Sequence, residues 1–294
     1  MNRQSVAKNY DELEFRDDFM FGKVMEDMNL CREVLECLLQ HPVAKLKDIQ
    51  AQREFKFTSD GKPIRVDVYS EDTENRIYDA EMQNLNHKSA EYHQLPKRSR
   101  YYQGAIDIDF MNKGNTYKVL PESRVLFICT FDPFKKGLSQ YTFRERCDEK
   151  GDLLLNDGTM KIFYNSRYQG DDIPDELRDF YEYVNHGKAR SRLTEKIDKA
   201  VLNGRKNELW RTQYMKERVL LMDAKEEGRE EGRTDLLVSM VCKKLRKGKD
   251  IAQIVDELEE DEVRIAVICE TARKFAPEYD EKKVSEELGV MDAI

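Results

Sequence analysis

Little in this sequence points to zinc, disulfides or a membrane. Its 294 residues include six cysteines, four histidines, seven prolines and one tryptophan. No cysteines form a CxxC pair, and the histidines are too few and scattered for a zinc site. Several cysteines lie inside apolar runs, as in Leu126-Phe-Ile-Cys-Thr, which marks reduced core thiols. The N-terminus lacks the apolar core of a signal peptide. The longest apolar run, Val125–Phe131, is interrupted by Thr130 and too short to span a bilayer. A cytoplasmic protein without a membrane partner is the expectation. Net positive charge is also lacking. The formal charge is −8, with 15 basic against 21 acidic residues from Lys216 onward, so any surface for a polyanion must be local.

What is present is dense charge, at 37% of residues, and 39% hydrophobic residues, enough for a core in one or two domains. The stretch Ile64–Gln83 organises the reading. Val66, Val68, Ile77 and Tyr78 favour pleated strands. Ser70-Glu-Asp-Thr-Glu-Asn between them is turn-forming. A hairpin centred near Glu74 sets Asp67 opposite Glu81, on one face. Asp79 and Gln83 share that face by the period-two alternation. Carboxylates so gathered repel one another unless a cation joins them. Oxygen ligands suit Mg²⁺ or Mn²⁺. The alternative is a solvated, merely acidic hairpin.

Residues 17–40 carry apolar residues at helical spacing, with Asp17 or Asp18 as cap and Pro42 beyond the end. Glu26 on that helix is a further candidate to reach a metal-bound water, against the simpler reading of a solvated glutamate. Residues 46–57 read as a strand and Asn86–Met111 as helical, with Pro96 opening its second half. Its segment Lys97-Arg-Ser-Arg-Tyr-Tyr offers cations for phosphates and tyrosines for stacking. Tyrosines packed on the sheet are the other reading. Strands are expected at Ser123–Phe131, Ser139–Cys147 and Thr159–Tyr164, and a helix at Pro174–Val184. His186–Lys216 holds nine basic residues against three acidic. It is either a second phosphate-binding surface or a basic helix neutralising the acidic tail. Two Glu-Glu-Gly-Arg tetrads follow, with Gly228 and Gly232 one helical turn apart. Leu236–Leu245, Ile251–Leu258 and Val263–Ala272 read as three amphipathic helices. A self-association seam at the tetrads, giving a homodimer through the C-terminal helices, is one reading of this tail.

Residues 17–131 thus run helix, three strands, helix, strand. That order, with an acid on the second strand and Glu-x-Gln on the third, resembles the PD-(D/E)XK nuclease core. Asp17-Asp-Phe-Met-Phe, Asp79-Ala-Glu-Met-Gln, Arg100-Tyr-Tyr-Gln, Leu126-Phe-Ile-Cys-Thr-Phe-Asp-Pro-Phe and the Glu-Gly-Arg tetrads look like the Rpn family of recombination-promoting nucleases. The likeness covers roughly residues 10–235. It implies an α/β, restriction-endonuclease-like αβββαβ core with a mixed sheet, a β-hairpin extension and a helical C-terminal region. The expected division is a nuclease-like domain at 1–185, a basic helix and linker helix at 186–233, and a helical module at 234–294. It further implies Mg²⁺- or Mn²⁺-dependent cleavage of DNA in a recombination or mobile-element setting. Asp67 and Glu81 would bind the metal. Gln83 would stand where the superfamily carries lysine. Asp79 would be a reserve ligand or an acceptor for Arg100. Lys97, Arg98, Arg100, Tyr101 and Tyr102 would line the DNA groove. The competing class is a nuclease fold that binds DNA or protein with weak or absent catalysis.

Overall fold

The computed structural model describes residues 8–55, 64–84, 93–111 and 116–292. The turn expected at Ser59–Pro63, Gly114 as a helix end, and the helix expected from Asn86 to Tyr92 lie outside them.

Six strands form one mixed sheet: β1 (Leu46–Phe55), β2 (Ile64–Asp72), β3 (Arg76–Gln83), β4 (Glu122–Cys129), β5 (Gln140–Phe143) and β6 (Thr159–Asn165). Their spatial order is β1-β2-β3-β4-β6-β5. The β2–β3 hairpin pairs Val68 with Ala80, Tyr69 with Asp79 and Glu71 with Ile77, so it is centred on Glu74 as expected. Asn75 closes the turn with a left-handed φ of 64°, a conformation asparagine tolerates. β3, β4 and β6 run parallel, and β5 returns antiparallel on β6. Parallel central strands are covered on both faces. Accordingly β4 is buried from Val125 to Cys129.

One face is covered by α3 (Leu95–Met111), whose Leu95, Tyr102, Ala105 and Ile106 share a core with Ile77, Val125, Phe127 and Phe163. α1 (Asp18–Met25) and α2 (Met28–Leu39) pack on β1 and β2. α4 (Asp175–His186) and α5 (Arg192–Arg205) pack against them in turn. The stretch read as one helix is therefore two. Asp27 ends the first and caps the second, accepting from the N–H groups of Asn29 and Leu30 at 2.9 and 3.0 Å. A cap satisfies the free donors of a new helix start, and Gln40 closes α2 in the left-handed region.

The chain divides into two compact units, Met1–Thr212 and Gln213–Ile294. The long α6 (Glu208–Leu245) begins in the first and ends in the second. In the second unit, the end of α6 packs with α7 (Ile251–Leu258), α8 (Glu262–Arg273) and α9 (Glu281–Asp292) around Val238, Val241, Ile254, Ile265 and Val284. The breaks fall where the sequence places them, at Gly248 and Glu259, both with positive φ. α9 was not expected, because its apolar Val284 and Leu288 are spread thinly among charges.

The candidate active site on the central hairpin

The site forms where the β2–β3 ladder stops. Regular pairing ends at Val68–Ala80, and β1 next door carries Gln52 with φ 52°. The strands part there, and two carboxylates fill the opening. The Asp67 N–H donates to Glu81 Oε1 at 2.7 Å, and the Met82 N–H donates to Asp67 Oδ2 at 2.9 Å. Each acid thus satisfies a backbone donor of the opposite strand, one the lost ladder would leave unpaired.

Asp79, Glu81 and Gln83 follow one another on the α3 side of β3, and all three are buried. No hydrogen bond of good geometry reaches either carboxylate oxygen of Asp79. Burial, and then the charge of Asp67, push the Asp79 carboxyl well above the usual range. Burial does the same to Glu81, followed by Asp67 and Asp79. Asp67 is pushed up to about 7 by burial and then by Asp18. Three acids held this way form a well of negative charge that favours a proton or a cation.

One cation reaches it from α3. Arg98 donates from Nη1 to Gln83 Oε1 at 3.0 Å, and from Nη2 to Glu81 Oε2 at 3.4 Å and to the Tyr102 hydroxyl at 2.8 Å. Its guanidinium lies over the rings of Tyr102 and Phe127, at 5.3 and 6.0 Å from their centroids. Burial works against its charge, but Tyr102, Glu81 and Asp67 together hold it protonated.

Several expected positions move. Tyr102 is buried and stacked on Phe127, so it positions Arg98 instead of lining a groove. Arg100 is exposed and does not partner Asp79; Arg98, one half-turn away, is the residue that meets the acids. Lys97 and Tyr101 are exposed on α3. Glu26 lies at the far end of α1, bound to Lys23 at 2.8 Å, and is not part of the cluster. The acid of α1 that does act on Asp67 is Asp18, at its start. The sequence offered that residue only as a cap. Lys88 and Tyr92, a further cation and a further tyrosine ahead of that segment in the sequence, lie outside the described residues.

A cleft of about 950 Å³ opens beside Gln83, at the C-terminal ends of β3, β4 and β6, lined by Asn84, Thr130, Lys135, Arg167 and Tyr168. Crevices outside strand C-termini are where open α/β sheets bind ligands. The Asp132 of Asp-Pro-Phe shapes its rim. It accepts from the N–H groups of Phe134, Lys135 and Gly137 and from the Tyr141 hydroxyl. Gly137, at φ 70°, permits the tight return.

Among the described residues no group of three or more His, Cys, Asp and Glu side chains stands ready around one metal position. The donor set is nevertheless oxygen only, and the unpartnered Asp79 oxygens beside Asp67 and Glu81 fit a hard divalent ion. Residues 14–153 match the family model of the PD-(D/E)XK nuclease family transposases. No curated protein and no solved structure matches the chain.

Proposed function

We propose, from the match of residues 14–153 to the family model of the PD-(D/E)XK nuclease family transposases, that the chain is a metal-dependent DNA endonuclease acting in recombination or on mobile elements. The observation that carries this reading is the buried acid cluster with the Asp79 oxygens unpartnered among the described residues and the Arg98 guanidinium on Glu81 and Gln83. Asp67 and Glu81 hold the metal, with Mg²⁺ or Mn²⁺ matching their hard oxygens. A bound divalent ion lowers the pKa of a water and polarises the phosphodiester. Gln83 offers an amide that hydrogen-bonds water or phosphate but carries no charge. Arg98 restores that charge from the helix, next to the Gln83 oxygen, where it offsets negative charge building on the phosphate. Lys97 and Arg100 hold the DNA backbone farther along α3.

Plasmid nicking in Mg²⁺ and in Mn²⁺ tests the reading, beside Asp67→Ala and Glu81→Ala. Cleavage by the parent and none by either variant is expected; cleavage surviving both rejects the assignment. A second reading is favoured by one contact, the Arg98 guanidinium already seated on Glu81 and Gln83. In that reading the fold binds DNA without cutting it. Salt-sensitive binding with no product in Mn²⁺ selects it. The exposed Val219, Leu220, Leu221 and Met222 of α6 support a homodimer through the C-terminal helices, which light scattering of the full chain against a Leu220→Glu, Leu221→Glu variant tests. No helix among the described residues is long and apolar enough to cross a membrane.

A further inference from the structure

A second groove lies on the α3 face of the sheet, on the side of β6 away from β3. It has a volume of about 500 Å³, and Pro96, Ser99 and Arg100 of α3 form one wall. Its floor is aromatic. Phe134, Phe143 and Phe163 meet with ring centroids 5.1 to 5.8 Å apart, two pairs edge-on at 86°. Phe143 is 46% exposed although it sits on a strand. A large apolar ring left in water next to a concave surface is a candidate contact, not a core residue.

The rim is charged. Arg100, Arg144, Arg146 and Lys161 stand around the floor, against Glu145 and Asp148. None of the four cations makes an ion pair among the described residues. Among the described residues the Arg146 side chain donates to the Gly151 carbonyl and that of Arg144 to the Met160 sulfur. Guanidinium groups around an aromatic floor, without a carboxylate partner among the described residues, complement a chain of phosphates carrying flat bases.

The floor also connects to the acid cluster. Glu81, Phe127 and Phe163 are register neighbours across β3, β4 and β6. Phe163 stacks on Phe127 at 5.0 Å and 8°, and Phe127 on Tyr102 at 6.2 Å. Two interstrand steps put the groove row about 10 Å from Glu81, the reach of one or two nucleotides. α3 serves both places, with Arg98 on the acids and Arg100 on the groove.

We infer that this groove takes an unpaired nucleotide of DNA, its base stacked on Phe143 and its phosphates held by Arg100 and Arg144. Bases inside a duplex have their faces covered by their neighbours, so a stacking floor discriminates in favour of single-stranded or frayed DNA. The inference rests on the nuclease reading for its setting and names the substrate class: DNA with unpaired nucleotides close to the cut.

The test is fluorescence anisotropy in EDTA, where no cleavage occurs, with a single-stranded oligonucleotide and a blunt duplex. Phe143→Ala should weaken single-strand binding roughly tenfold and duplex binding by less than about twofold. Phe143→Trp should restore it, which separates lost stacking from lost folding. A 2-aminopurine in the oligonucleotide should be quenched by the parent and not by Phe143→Ala. Arg100→Gln with Arg144→Gln should flatten the salt slope on single strands. Equal effects of Phe143→Ala on both DNAs, no effect on either, or equal competition by polyglutamate would overturn the groove. Glu81→Ala separates the two claims. If the parent never cuts DNA but single-strand binding depends on Phe143, the nuclease reading fails and the groove stands. If cleavage requires Glu81 while Phe143→Ala leaves single-strand binding intact, the groove fails alone.

Discussion

The two units treat the same functional group in opposite ways. In the sheet unit, Asp79 and Glu81 are buried among other carboxyls, and burial drives both well above the usual range. In the helical unit, Glu257 lies on the surface between Lys244 and Lys249, whose hydrogen bonds hold its carboxyl down to about 2. Surface acids in the second unit are matched again at Arg246–Glu281 and Lys274–Glu287. Carboxylates paired like these need nothing further. Those of the hairpin are incomplete as they stand: among the described residues one guanidinium, that of Arg98, pairs with Glu81, and none pairs with Asp79. Perturbed groups of that kind cluster at functional sites because folding alone has no use for them.

The largest test of this contrast is catalytic. Glu81→Ala should lower DNA cleavage by at least about 10²-fold, the scale on which single electrostatic partners act, while Glu257→Ala leaves cleavage unchanged. Comparable losses from both would erase the distinction. The next is a linkage between pH, metal and stability. The Asp67 carboxyl binds its proton more tightly in the folded chain, at about 7, than at its ordinary 3.8. Its contribution is therefore full below 3.8 and is lost as pH rises through 7. Without metal, the sheet unit should be less stable at pH 8 than at pH 5, by an amount on the order of a few kcal/mol, and should melt at a lower temperature. Mn²⁺ should raise the transition more at pH 8, where the acids are ionised and ready to receive it. The single tryptophan, Trp210, belongs to the first unit and packs on Gly204, so its fluorescence follows that unit. A flat pH response, or one unchanged in Asp67→Asn, counts against the buried-acid account.

How far the hairpin was legible follows from its geometry. Alternation about a polar turn suffices to centre it on Glu74, because register in a two-strand pair follows from turn and pattern. The opening beyond Val68–Ala80 was not legible. It accompanies the left-handed Gln52 on the neighbouring strand, which no local pattern of β2 or β3 encodes. The break between α1 and α2 was hidden by apolar residues continuing at helical spacing across Glu26 and Asp27. Arg98 was visible as a cation, but spacing does not say whether a guanidinium faces DNA or the sheet. The i,i+4 pair Arg98–Tyr102 was the available signal, since residues four apart share a helix face.

That pair gives the third prediction. Arg98→Ala should slow cleavage by about 10- to 100-fold, as loss of a supporting partner does at metal sites, and leave the Mn²⁺ concentration needed for half-maximal activity unchanged or lower it, according to role. A guanidinium that offsets charge on the phosphate lowers kcat with little change in metal demand. One that only neutralises Glu81 gives way to metal, so its loss tightens metal binding. Arg98→Lys should recover part of the rate in the first case, since a point charge suffices there. Tighter Mn²⁺ binding by Arg98→Ala with an undiminished rate would transfer the residue from chemistry to folding.

The smallest expected effect lies in the second unit and has the opposite sign with pH. The Glu257 carboxyl is held at about 2, below its ordinary 4.5. Its contribution is full above 4.5 and is lost as pH falls through 2, whereas protonation in that direction favours the hairpin acids. Glu257→Gln should lower the melting of the helical unit at pH 7 by about 2 °C or less, because exposed pairs contribute little. In 1 M salt the difference should vanish, since screening reaches exposed charges first. Trp210 fluorescence should not register the substitution, while far-UV circular dichroism, which sees both units, should. A salt-resistant loss, or one seen equally at Trp210, would mean that Glu257 is tied to more than its two lysines and that the two settings are not independent.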